Sequence, residues 1–147
     1  MYTKNTIELE ESGLSVYYFA GASIVAALCI MIVFKIHVDK LKHSPEQMGA
    51  ILTKFSIGVA FCEVVPILLL VAGFATMQTG LEFNNLLLPL VCTFFSMIIA
   101  AVFIFLQTKV DVTQEMRGKV YTFAMIGLSI AISIPFFSLF GLLIQMQ

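Results

Sequence analysis

Charge is scarce in this sequence. Of its 147 residues only 12% are Asp, Glu, Lys or Arg, while 60% are hydrophobic and the mean hydropathy is +1.01. A soluble domain carries about a quarter charged residues and is roughly half apolar. The shortage therefore excludes a soluble globular enzyme and a disordered chain. Lysine and arginine together number 8 and the formal net charge is -1, so no positive field exists to draw in nucleic acid. Cysteine is limited to Cys29, Cys62 and Cys92, all inside apolar runs and without a Cys-x-x-Cys pair. Each reads as a small packing residue. The two histidines, His37 and His43, fall in one polar loop without a carboxylate at ligand spacing. Neither a metal nor a cofactor is expected.

What the chain has instead is length in apolar runs. A helix crosses a bilayer core with about 20 apolar residues. Four stretches meet that requirement, at residues 14–36, 55–77, 86–106 and 120–144. The expected fold is thus an all-α membrane protein with four transmembrane helices. Pro89 is expected in the first turn of the third helix, where proline is tolerated. The N-terminal tail, residues 1–12, carries Glu8, Glu10 and Glu11 where a cleavable signal peptide would be positive, so no such peptide is expected. Lys35, Lys40, Lys42 and Lys54 flank the first loop, and Lys109, Arg117 and Lys119 the third. The middle loop has Glu82 and no basic residue. The positive-inside rule then places loops one and three in the cytoplasm, with both termini outside.

The sequence matches itself after a shift of 69 residues. Glu46 falls on Glu115, Gly49 on Gly118, Gly58 on Gly127, Pro66 on Pro135 and Lys40 on Lys109. The glycines and prolines carry most weight, because hydrophobic coincidences are common in membrane helices. A proline inside a helix removes a backbone hydrogen bond and kinks the chain, so two at matched depth are not accidental. The chain divides into a first hairpin, residues 13–78, and a second, residues 79–147. Both hairpins have the same topology, which excludes the inverted repeats of many transporters.

One position breaks the symmetry: Glu63 falls on Ile132. Glu63 is the one acid deep within the four runs. A charge at the bilayer centre costs at least about 2.5–3.5 kcal/mol. Taking up a proton removes most of that cost, and a carboxyl held this way is suited to carrying protons. The alternative is a neutral glutamic acid that joins helices by a hydrogen bond. Pro66 leaves the Cys62 carbonyl without its helical partner, beside Glu63. That carbonyl is a possible acceptor for the carboxyl proton, although Pro135 shows that a kink is wanted even where no acid is present.

The segment His43-Ser44-Pro45-Glu46-Gln47-Met48-Gly49, followed by Ile57-Gly58-Val59-Ala60-Phe61-Cys62-Glu63-Val64-Val65-Pro66, resembles subunit c of the rotary ATP synthases. In that family a helical hairpin has a polar loop with Arg-(Gln/Asn)-Pro, and an acid follows about 18 residues later in the second helix. Pro45 and Glu63 have that spacing. The family includes duplicated four-span forms. The loop arginine is His43 here, with Lys42 beside it, and Ala20, Ala22 and Ala26 stand where the family carries glycines.

The resemblance implies a membrane ring of protomers, two tandem hairpins each, with Glu63 as the proton carrier. Ala26, Ile30, Cys62 and Pro66 would surround it. Lys42, His43, Ser44, Pro45 and Glu46 would form the cytoplasmic loop facing a central stalk, and a stator subunit would trigger proton release. Ile30 occupies the position where sodium-binding members place glutamine, and valines follow Glu63, so the implied ion is a proton. One acid per four helices would suit ATP-driven pumping. The chain itself would be no enzyme. Two other readings stay open: a structural proteolipid that scaffolds another membrane complex, and a small proton-coupled antiporter.

Overall fold

The computed structural model describes the backbone of residues 2–147, with side chains from residue 13 onward. The acidic side chains expected at the N-terminus, Glu8, Glu10 and Glu11, lie outside the described residues. The described residues form four α-helices, α1 (Tyr2–His43), α2 (Met48–Ala75), α3 (Phe83–Gln107) and α4 (Arg117–Ile144), with a short 3-10 turn at Pro45–Gln47. All four are long and apolar enough to span a membrane, over Gly13–His43, Pro45–Ala75, Phe83–Gln107 and Arg117–Ile144. This is a multi-pass, all-α membrane protein.

Two boundaries differ from expectation. The first polar loop is almost entirely helix, because α1 continues to His43 and carries both histidines. Its polar end is held by local bonds. Lys35 Nζ meets Asp39 Oδ1 at 2.9 Å, and the Nδ1 atoms of His37 and His43 lie 2.8 and 2.7 Å from carbonyls one turn back. Lys40, Lys42 and His43 in the last turn also suit the negative end of the helix dipole. Pro45 then stops the helix. Ser44, just before it, is driven out of the helical region to φ −140 and ψ 68. The second difference is Pro89, which lies inside α3 rather than in its first turn. The helix starts early, at Phe83. Proline then orphans only the carbonyl of exposed Asn85, near the helix end, where water is within reach.

Helix α1 is the hub. It packs against α2, α3 and α4; α3 also packs on α4, α2 touches α4 only lightly, and α2 and α3 share no substantial interface. In a membrane, helices associate through close packing rather than through hydrophobicity, so small residues at contacts matter most. The repeated glycines show this. A Cβ on Gly58 would lie 3.1 Å from Val33, and one on Gly127 would lie 2.6 Å from the Phe34 ring. Both glycines thus admit a side chain of α1. Phe19, fully buried, is held between Gly73 of α2 and Gly141 of α4. Nearer the lysine-rich end, Phe34, Phe55 and Phe123 pack ring on ring, with centroids 4.9 to 6.2 Å apart.

Polar contacts fix the register of α1 against α3. Ser23 bonds to Thr93 and Ser96, and Lys35 to Gln107, so contacts between parallel α1 and α3 join residues 70 to 73 apart. Helices α1 and α3 therefore lie side by side, with residues matched by the repeat at nearly equal depth. Ile51 and Val120, Phe55 and Ala124, and Pro66 and Pro135 are buried in both copies.

Candidate functional site

The site is built on α2. Its buried stripe runs Ile51, Phe55, Val59, Pro66, Leu70 and Gly73, at helical spacing. Glu63 comes four residues after Val59 and three before Pro66, which puts it at one edge of that stripe, half-buried. Its outer neighbours, Ala60, Val64 and Ile67, are exposed. The carboxyl thus stands where the bundle meets its surroundings.

Depth follows from the antiparallel register of α1 and α2. Gly58 faces Val33, and Gly73 faces Phe19. Glu63 is then level with Leu28, the central residue of the Gly13–His43 span. A carboxylate there has no water to solvate it, and among the described residues Glu63 has neither a hydrogen bond nor an ion pair. The cheapest state of such a group in lipid is the protonated one, or one covered by a further polar surface.

The residues expected around Glu63 are only partly gathered. Pro66 is buried one turn away. Ala26 and Ile30 lie two residues to either side of the Leu28 level, and both are buried in the core. Cys62 occupies the opposite edge of the α2 stripe, at the level of Cys29 on α1 by the register of Gly58 on Val33. Ile132, the counterpart of Glu63, is half-buried in the same way. Among the described residues no group of three or more His, Cys, Asp and Glu side chains is placed to hold a metal ion.

The polar turn is shorter and better tied than its sequence implies. His43 and Glu46 are exposed, while the Lys42 side chain is only 7% exposed and lies 4.0 Å from Asp39. Ser44 donates its backbone N–H to Lys40. The Pro45 carbonyl accepts a bond of 2.9 Å from Lys119 at the start of α4, so the turn is fastened to the second hairpin.

Sequence reasoning passed over a set of buried hydroxyls. Ser23 and Ser96 share a 2.6 Å bond between α1 and α3. Thr93 and, on α4, Ser138 are fully buried, and neither hydroxyl has a hydrogen-bond partner among the described residues. Gly127 against Phe34 and Gly141 against Phe19 set the α1–α4 register and bring Ser138 to the level of Ser23. The only sequence signal was the presence of hydroxyls inside apolar runs, which is too common to single them out. At the end of the bundle, Ser15 of α1 donates to Gln145 just after α4, a bond of 2.6 Å that ties the two helices together. No protein-family model, curated protein or solved structure matches the chain.

Proposed function

We propose that the chain is a c-like proteolipid protomer that binds and releases protons through Glu63. The observation that carries this reading is one carboxyl at mid-span depth, on the outer edge of the bundle, without a partner among the described residues. A structural acid would be expected to bond within its own chain. An acid that must exchange protons with a neighbouring surface belongs at an edge. The repeat supports the same reading, because tandem hairpins in parallel topology are how c-like subunits are duplicated. The resemblance then extends to a closed ring, a stator that discharges Glu63, and loops one and three in the cytoplasm.

One observation favours the second reading, a proteolipid scaffold that moves no protons. Phe94, Phe95 and Phe105 on α3 are more than half exposed. Side chains of that size keep neighbouring protomers apart where a tight ring needs small residues.

Two measurements test the proposal. The mass of the assembly in mild detergent and in native nanodiscs is expected to correspond to a closed homo-oligomer; a monodisperse monomer in both overturns the ring. For topology, cysteines placed at His43 and at Arg117 in a cysteine-free background are expected to resist membrane-impermeant reagents in intact cells. Labelling of His43→Cys from outside would invert the orientation.

A further inference from the structure

The end of the bundle that carries the lysines and arginine has two adjoining hollows where α3 meets α4. One has a volume of about 390 Å³ and is lined by Phe105, Thr108, Lys109, Arg117, Gly118 and Tyr121. The other, about 240 Å³, shares Thr108, Lys109 and Arg117 and adds Val112 and Gln114. Their walls grade from aromatic to polar. Phe105 and Tyr121 are each about half exposed, at the helix ends where a bilayer's hydrocarbon gives way to water.

The two cations at the shared wall have no carboxylate partner. Among the described residues the ion pairs are those of Lys35 and Lys42 with Asp39. Lys109 instead holds its ammonium 5.4 Å from the centre of the Phe105 ring, which fixes the charge over the aromatic wall. Gly118 leaves the floor open, since a Cβ there would meet nothing within 4 Å. Thr108 spends its proton on the Phe105 carbonyl at 2.7 Å, so an anion here is held by Lys109 and Arg117. Arginine offers a planar pair of donors suited to phosphate.

We propose that this double hollow binds one anionic phospholipid, with its phosphate on Lys109 and Arg117 and its glycerol and upper acyl chains along Phe105 and Tyr121. A soluble phosphate would satisfy the cations and leave the aromatic wall bare. A zwitterionic lipid would bring its own cation to a place that already has two. The repeat supplies an internal comparison. The corresponding hollow of the first hairpin, about 330 Å³, is lined by Asp39, Lys40, His43, Ser44, Gln47 and Ile51. After the 69-residue shift Asp39 stands in place of Thr108 and Met48 in place of Arg117. One cation is lost and a carboxylate is gained, so that hollow does not select an anion.

Native mass spectrometry of the full chain, titrated with phosphatidylglycerol or phosphatidylcholine of matched acyl chains, tests this. One phosphatidylglycerol per chain is expected to bind ahead of any phosphatidylcholine. Lys109→Gln and Arg117→Gln should each weaken it about fivefold, and the pair about twenty-five-fold. Arg117→Lys, which keeps the charge, should retain most of the binding, and Lys40→Gln in the first hairpin should change nothing. All these side chains are exposed, so the variants are expected to fold, and circular dichroism checks that they do. Equal binding of the two lipids, or unchanged phosphatidylglycerol binding in the double variant, overturns the proposal. If inorganic phosphate displaces phosphatidylglycerol at comparable concentration, the occupant is a soluble anion and the lipid assignment fails.

Discussion

Glu63→Gln is expected to abolish proton movement and carbodiimide labelling while leaving the assembly intact. Glutamine keeps the shape and hydrogen-bonding capacity of the protonated acid but does not titrate, so only the chemistry is removed. Dicyclohexylcarbodiimide reacts with a carboxyl that still carries its proton and lies in apolar surroundings, and it partitions into lipid. Glu46 and Glu115 are exposed at the polar turns, outside the apolar surroundings that the reagent needs. Labelling is therefore expected at Glu63 alone, read by peptide mass, and it should fall as pH rises through the range in which Glu63 gives up its proton. Ile132→Glu is the complementary variant. Ile132 is half-buried like Glu63, and Gly127 and Pro135 stand where Gly58 and Pro66 do. A second labelled site is expected. Proton flux in reconstituted vesicles that is unchanged by Glu63→Gln would reject the carrier reading and leave the scaffold.

The largest effect on stability is expected from Gly141→Val. The Phe19 ring lies directly against Gly141, and a Cβ there would overlap it; on the ring's other side Gly73 is close enough that a Cβ on it would lie 3.1 Å from the ring. The ring has nowhere to go, so α1 and α4 must separate. Overpacking of this kind costs about 3 kcal/mol at the upper end of its usual range. Phe19→Ala alone leaves a hole among three helices and is expected to cost about the same. Combining the two should restore part of the loss, because each relieves the other's defect, and that non-additivity is the signature of contact. Gly49→Val, where a Cβ meets nothing within 4 Å, is the control and is expected to change little. Unfolding in mixed micelles measures all four. A neutral Gly141→Val would mean that the helices do not approach as described.

The sequence announced the four spans because bilayer thickness dictates run length, and it announced Glu63 because an acid inside such a run is conspicuous. It did not announce which helix lies at the centre. In water the inward face of a helix stands out as its apolar side. In lipid that contrast disappears: Phe55, Val59 and Leu70 face inward on α2, while Phe61, Val64 and Leu68 face outward. Only the glycines and prolines hinted at contact faces, and they pointed to Gly58 and Gly127 without naming Val33 and Phe34 as their partners. The continuation of α1 through His43 was hidden because hydropathy detects the hydrocarbon edge, whereas a helix ends where its backbone bonding ends. The partnering of Ser23 with Ser96 depended on the parallel alignment of α1 and α3, which becomes definite only once the hairpins are docked.

The central position of α1 has a bearing on biogenesis. Of the four helices α1 leaves the ribosome before the other three, and each of those packs against it. The α1–α2 pair finds its main interface as soon as both have entered the membrane. Helix α3, by contrast, inserts beside a partner already committed to α2, and α4 completes its contacts only by returning to α1. A chain halted after Ala75 should therefore persist as a protease-resistant hairpin. The α3–α4 half expressed alone should insert and then be cleared by quality control, unless the first half is supplied on a separate polypeptide.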